Sequence, residues 1–192
     1  LQDEVELAEA LDLILSVRFD DMSYDVDYAR ADQTSADDRS DSDETFSPKI
    51  GLIYDLTEQA SLYAVYSETF QQMAGDQYAN IKQTWSKDVD PITHETTEFG
   101  LKYDLPSGIS LSAAYFEIQS NTPNQISTGV YGMSESEVSG FELQLVGTIA
   151  DNWFVSAGYT SLDADDTSGN PIQEAPDSSF SIWNNYLVSD RL

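Results

Sequence analysis

Apolar and polar residues alternate strictly along much of the chain. At the odd positions from Leu11 to Phe19 every residue is apolar, while most even positions between them are polar or charged. The same pattern returns at Glu98–Leu105 and Gly140–Val146. A period of two residues is typical of β-strands with one apolar and one polar face. Helical spacing has only one short candidate, Glu4–Leu15, where the alternation prevails. The sequence therefore predicts an all-β fold.

Polar turn residues divide the chain into nine strands, the first of them partial. The predicted strands are Leu1–Leu7, Leu11–Tyr28, Phe46–Leu56, Ser61–Phe70, Thr96–Leu105, Ile109–Gln119, Glu137–Gly147, Trp153–Leu162 and Ser178–Leu187. Short turns alternate with long polar stretches, which are Ala29–Thr45, Gln71–Pro91, Ser120–Glu135 and Asp163–Asp177. Short connections at one end and long ones at the other are typical of antiparallel outer-membrane barrels.

The two predicted faces favour a membrane barrel. Four aromatic residues lie near short turns, as in an aromatic girdle at a membrane interface: Tyr54, Tyr103, Trp153 and Tyr186. The opposite faces carry Arg18, Lys49, Glu98, Lys102 and Glu142, which a dry core would leave unpaired but a wet or plugged lumen accommodates. Three glycines share this polar face, which leaves room for something bulky inside: Gly51, Gly100 and Gly140.

Two questions stay open at this point. In Ser61–Phe70 the apolar face is ambiguous, because Leu62, Ala64 and Tyr66 compete with Tyr63 and Val65. Alternation also fits a soluble secreted β-sandwich binding module with acidic loops that bind divalent cations.

Composition excludes several classes of function. The 192 residues include 35 acidic and 8 basic side chains, for a net charge of −27, with one histidine and no cysteine. Such a charge disfavours nucleic acid as a partner. Thiol chemistry and multi-histidine metal sites are also excluded. The single histidine, His94, has no serine in a nucleophile-elbow context to act with, and it is predicted to lie in a surface loop. No enzyme activity, catalytic residue or cofactor is therefore predicted.

Acidic clusters raise the question of metal binding. Asp163, Asp165, Thr167 and Glu174 have the spacing of a calcium loop, but Ser168 stands where that loop needs glycine. A second cluster comprises Asp37, Asp38, Asp41, Asp43 and Glu44. No metal site is predicted from either, and weak divalent binding by acidic loops stays open.

Several segments together resemble a known family. They are Phe46–Tyr54, Ala60–Phe70, Glu95–Asp104, Ser110–Glu117, Val138–Leu145, Val155–Tyr159 and Ser179–Tyr186, preceded by Gln2–Glu4 and Leu15–Asp20. In their order and spacing, the chain resembles the TonB-dependent outer-membrane receptors, in particular the siderophore-receptor branch. The resemblance covers nearly the whole chain.

This resemblance implies a 22-stranded transmembrane β-barrel with an N-terminal plug, in the bacterial outer membrane. Its implied function is TonB-dependent uptake of a ferric siderophore or a similar scarce ligand. Residues 1–192 would then be a partial barrel domain of eight to nine consecutive up-and-down strands, without the plug and the C-terminal strands. The implied partners are the ferric siderophore, the protein's own plug, the TonB complex and outer-membrane lipid.

In this family, outer loops and lumen residues near the outer rim hold the ligand. By that resemblance the candidate ligand-binding residues are Phe70, Gln71, Gln72, Tyr78, Trp85 and Tyr131. Aromatic and amide side chains suit a planar catecholate or hydroxamate shell through stacking and hydrogen bonds. The alternative, that these residues only pack the loops together, stays open.

Overall fold

A computed structural model of the chain describes residues 1–29, 36–72, 90–127, 130–166, 169–172 and 176–188. Its strands are β1 (Gln2–Ala8), β2 (Leu11–Ala29), β3 (Ala36–Thr57), β4 (Ala60–Gln71), β5 (Ile92–Asp104), β6 (Ile109–Ser127), β7 (Val130–Ala150), β8 (Trp153–Asp166) and β9 (Ser178–Tyr186). They form one sheet in chain order, each strand antiparallel to the one before it. Over these ranges no helix is long and apolar enough to cross a bilayer.

The predicted nine-stranded, antiparallel, up-and-down arrangement is confirmed, but several strands are longer than predicted, most of all β3, β6 and β7. β3 begins at Ala36 and pairs Ala36–Thr45 with the end of β2, and β6 and β7 continue far into the predicted loop Ser120–Glu135. The predictions of loops at Ala29–Thr45 and Ser120–Glu135 are therefore wrong over most of their length. The sequence of the β3 extension is polar at nearly every position, so the hydrogen-bond ladder continues there although the alternation has ended.

The register of the strands defines two faces. One lateral row of paired residues consists of Leu11, Tyr54, Leu62, Leu101, Ala113, Leu143, Tyr159 and Phe180, and we call its side the apolar face. The adjacent row, on the polar face, consists of Asp12, Ile53, Tyr63, Gly100, Ala114, Glu142, Thr160 and Ser179. In β4, Leu62, Ala64 and Tyr66 therefore belong to the apolar face, which resolves the ambiguity left by the sequence.

Nothing in the described part of the chain covers the apolar face. Phe99 is 56% exposed and Phe141 is 41% exposed, and Val155 is the one buried large apolar residue within the described ranges. A β-sandwich would bury this face against a second sheet. The described residues form a single sheet, so the sandwich alternative is not supported.

Aromatic side chains bound the apolar face at both ends. The turn-side band, Tyr54, Tyr103, Trp153 and Tyr186, lies near the short connections as predicted. A second band lies toward the long connections and consists of Phe19, Phe46, Tyr66, Phe99, Tyr115, Phe141, Tyr159 and Phe180. The Phe19 and Phe46 rings contact each other, with centroids 4.9 Å apart. We call this the loop-side band; sequence reasoning did not identify it.

The lateral rows climb from one aromatic band to the other. A single row joins Tyr54 of the turn-side band on β3 to Phe180 of the loop-side band on β9. On β9, the turn-side residue Tyr186 lies six positions beyond Phe180, and six strand-to-strand steps separate β3 from β9. The climb is thus about one residue (~3.3 Å) per strand spacing (~4.8 Å), which corresponds to a strand tilt of about 35°.

Arginine in the middle of the apolar face should destabilise the protein in a membrane. We expect Leu101→Arg to lower the free energy of unfolding by about 2–4 kcal/mol, because it places a cation between the two aromatic bands. Thr93→Arg is the matched control, since Thr93 lies on the same strand and face beyond the loop-side band. Denaturant titration of the full-length protein folded in lipid vesicles measures both, and equal losses would contradict the assignment of the apolar face.

Candidate functional site on the polar face

The centre of the polar face carries a cluster of interacting side chains, which we call the Tyr63 cluster: Tyr63, Glu98, Gly100, Lys102 and Glu142. Tyr63 on β4 lies directly opposite Gly100 on β5, and the same row reaches Glu142 on β7. The Tyr63 hydroxyl donates a hydrogen bond of 2.5 Å to Oε1 of Glu98. The Lys102 Nζ lies 5.3 Å from the centre of the Tyr63 ring, within the range of a cation–π contact.

Glycine at position 100 makes room for the Tyr63 ring. A Cβ atom at this position would overlap the ring, so a larger residue requires the tyrosine to move. The same arrangement recurs at Gly140, where a Cβ atom would lie 2.6 Å from Cζ of Phe116 on the opposite strand. The space predicted above these two glycines is thus filled by aromatic rings from the neighbouring strands.

The polar face carries more acidic than basic residues behind the apolar face. By strand register it carries Glu4, Glu6, Asp12, Asp20, Asp55, Glu98, Asp104 and Glu142 against Arg18, Lys49 and Lys102. The Arg18 Nη2 pairs with Asp20 Oδ1 at 2.7 Å. Beside the Tyr63 cluster, a polar hollow of about 250 Å³ is lined by residues that include Glu98, Glu142 and Gln144. This wall can accept hydrogen bonds and cations from a partner placed against it.

The structure does not bring the six predicted ligand-binding residues together. By alternation Phe70 lies on the side of the apolar face and Gln71 on the polar face, both in β4. Gln72 follows β4, and its Nε2 is buried without a hydrogen-bond partner in the part of the chain described. Tyr78, Trp85 and the side chain of Tyr131 lie outside the described residues. The assignment of these residues to a ligand site stays a prediction.

One other sequence-based interpretation requires correction. His94 lies in β5 and not in a surface loop, and its Nδ1 is 2.8 Å from Oγ of Ser120 on β6. The predicted strand began too late, at Thr96, because alternation weakens toward the strand end. Asp163 and Asp165, from which no metal site was predicted, lie in β8, while Thr167 and Glu174 fall outside the described residues. Within the described ranges no three acidic or histidine side chains are grouped to hold a metal ion.

Comparison with known proteins explains this combination of faces. The family model described as "TonB dependent receptor-like, beta-barrel" matches residues 1–191. The chain belongs to the TonB-dependent receptor family. Its sheet is accordingly part of a transmembrane β-barrel, in which the apolar face points outward and the polar face lines the lumen.

Relatives named as siderophore receptors align over much of the chain. "Probable TonB-dependent siderophore receptor PiuA" of Acinetobacter baumannii is 28% identical over 100% of this chain and 29% of its own length. The crystal structure of PiuA superimposes with a TM-score of 0.87, covering 98% of this chain and 30% of that one. "Catecholate siderophore receptor Fiu" of Escherichia coli K12 is 28% identical over 74% of this chain and 21% of its own length. The chain thus spans less than a third of the length of these relatives.

The Tyr63–Gly100 contact predicts a selective sensitivity to alanine. Gly100→Ala should reduce the free energy of unfolding by about 1–3 kcal/mol, because the new methyl group overlaps the Tyr63 ring. Gly51→Ala is the matched control on the same face, since the nearest atoms to its Cβ lie at an ordinary 3.6 Å. Denaturant titration in vesicles measures both. In the Tyr63→Ala background the cost of Gly100→Ala should largely disappear, and an undiminished cost would refute the contact.

Proposed function

We infer that this chain forms part of the barrel wall of an outer-membrane receptor that takes up a ferric siderophore with energy from the TonB complex. The observation that carries the proposal is the family match over residues 1–191, together with relatives that are named as siderophore receptors. The exposed apolar face between two aromatic bands supports a position in a lipid bilayer. Uptake of this kind needs no covalent chemistry, so the proposed protein is a transporter and not an enzyme.

The connections suggest the orientation of the strands. In outer-membrane barrels short turns face the periplasm and long loops face the exterior. The turns that follow β1, β3, β5 and β7 would then be periplasmic, and the long β2–β3 and β6–β7 hairpins would project outside the cell. In this orientation outer-membrane lipid contacts the apolar face.

The acidic polar face would contact the plug of the full-length receptor. Glu98 and Glu142 carry charges that point into a lumen, where a folded plug would displace water. Carboxylates in such a place require cationic or hydrogen-bonding partners. We propose that basic and amide groups of the plug supply them, while the Tyr63 hydroxyl holds Glu98 in position.

The six ligand-binding candidates remain part of this proposal. Gln71 fits a lumenal role most directly, because it lies on the polar face near the loop end of β4. The names of the relatives suggest the ligands to examine first: a catecholate siderophore for Fiu, and pyoverdine for the ferripyoverdine receptor of Pseudomonas aeruginosa.

Uptake assays test the proposed function. The full-length receptor, produced in a bacterium that lacks its own siderophore receptors, should import radiolabelled iron from at least one ferric siderophore under iron limitation. The same strain without TonB should lose that import, because the energy source is absent. A receptor that is present and folded in the outer membrane but imports iron from no catecholate, hydroxamate or mixed siderophore would contradict the proposal.

A further inference from the structure

The two long hairpins, β2–β3 and β6–β7, have strand edges that no described neighbour covers. Pairing with the preceding strand ends at Val17 on β2 and at Asn121 on β6. Pairing with the following strand begins only at Lys49 on β3 and at Ser136 on β7. Beyond these residues each hairpin has only two strands. Every second residue of such an edge points its N–H and C=O groups outward, where another chain can bind them.

Three of these four edges carry features that hinder pairing with another chain. The β2 and β3 edges carry carboxylates at short intervals, the β3 edge also contains Pro48, and the β6 edge contains Pro123. Charges and prolines on an edge are the usual protection against strand addition. On β7, by contrast, Val130–Ser134 includes neither a charge nor a proline, and Val130 is 51% exposed. We call Val130–Glu135 the open edge.

The line beside the open edge, beyond the end of β8, is free of the described part of the next connection. β8 pairs with β7 as far as Asp166. The connection then returns along the other edge of β8, where the backbone N–H of Ile172 donates to the carbonyl of Ala164. An added strand could therefore continue the line of β8 along β7.

Acidic side chains surround the foot of the open edge. A polar hollow of about 350 Å³ is lined by residues that include Glu135, Glu137, Asp163 and Asp165. Glu137 lies directly opposite Asp165, and like charges in such a pair repel each other. Strand register places every lysine and arginine of the described strands on the opposite, polar face. The hollow would therefore attract cationic side chains from outside the described chain.

We propose that the open edge of β7 binds an extended, basic segment of a second protein. The segment adds a strand beside β7 through backbone hydrogen bonds, and its lysine or arginine side chains on one face reach the acidic hollow. Backbone pairing of this kind supplies affinity, while alternate side chains supply specificity. In the orientation proposed above the open edge faces the outside of the cell, so the partner is an extracellular protein.

A model peptide tests the proposal on the purified full-length receptor. The probe is a fluorescein-labelled short peptide of alternating lysine and valine, which as a strand carries all its charges on one face. Fluorescence anisotropy should show saturable binding. The same peptide with a methyl group on every peptide nitrogen keeps the charges but cannot donate hydrogen bonds, and it should bind at least about tenfold more weakly.

Receptor variants locate the binding site. The double variant Glu137→Gln, Asp165→Asn should weaken binding of the lysine–valine peptide about three- to tenfold, because two carboxylates of the hollow are neutralised. The matched control is Glu4→Gln, Glu6→Gln, which removes the same amount of charge from the distant strand β1 and should leave the dissociation constant unchanged.

Three results would overturn the proposal. One is no saturable binding of the lysine–valine peptide. Another is equal binding of the methylated peptide, which would show attraction to charge without strand addition. The third is equal weakening by the two double variants, which would show attraction to the whole acidic protein. Binding of this probe involves no iron, so none of these results bears on the proposed uptake function.

Discussion

The structure depends on one constraint, the continuous ladder of backbone hydrogen bonds between neighbouring strands. Because each interior strand uses its N–H and C=O groups on its two neighbours, no backbone group has to face lipid unpaired. The ladder also sets the side-chain geometry, since successive residues must point to opposite faces. Register then decides whether a given residue meets lipid or lumen, and a slip of one position would exchange the two surfaces.

Sequence alone predicted those parts of the fold in which apolar and polar residues alternate along the strand. Nine strands, their order and the polarity of most faces followed from alternation in segments such as Leu11–Phe19. The extensions of β3, β6 and β7 could not be predicted, because strands with water on both sides need no alternation. The same reason placed His94 in a loop. In β4 alternation was present but ambiguous, and the pairing of Tyr66 with Thr97 and Ile50 was needed to assign its face.

The candidate site was harder to predict than the fold. Sequence reasoning found the charges and glycines of the polar face individually, but the contact of Tyr63 with Glu98 and Gly100 depends on which residues face each other across two strands. That information lies in the register and not in any local pattern. Likewise, the acidic residues of β5–β8 could not be assigned to a face until the register placed odd and even positions on opposite sides of one sheet.

The stagger of about one residue per strand has a consequence for how such a wall closes. In a closed barrel each lateral row must return to its starting strand displaced by a whole number of residues, and tilt depends on the displacement per strand. A constant stagger therefore lets the circumference grow by added hairpins while the height of the apolar belt stays unchanged. Pore width and membrane fit become separate properties, so that the interior can adapt to cargo of different sizes within a bilayer of one thickness.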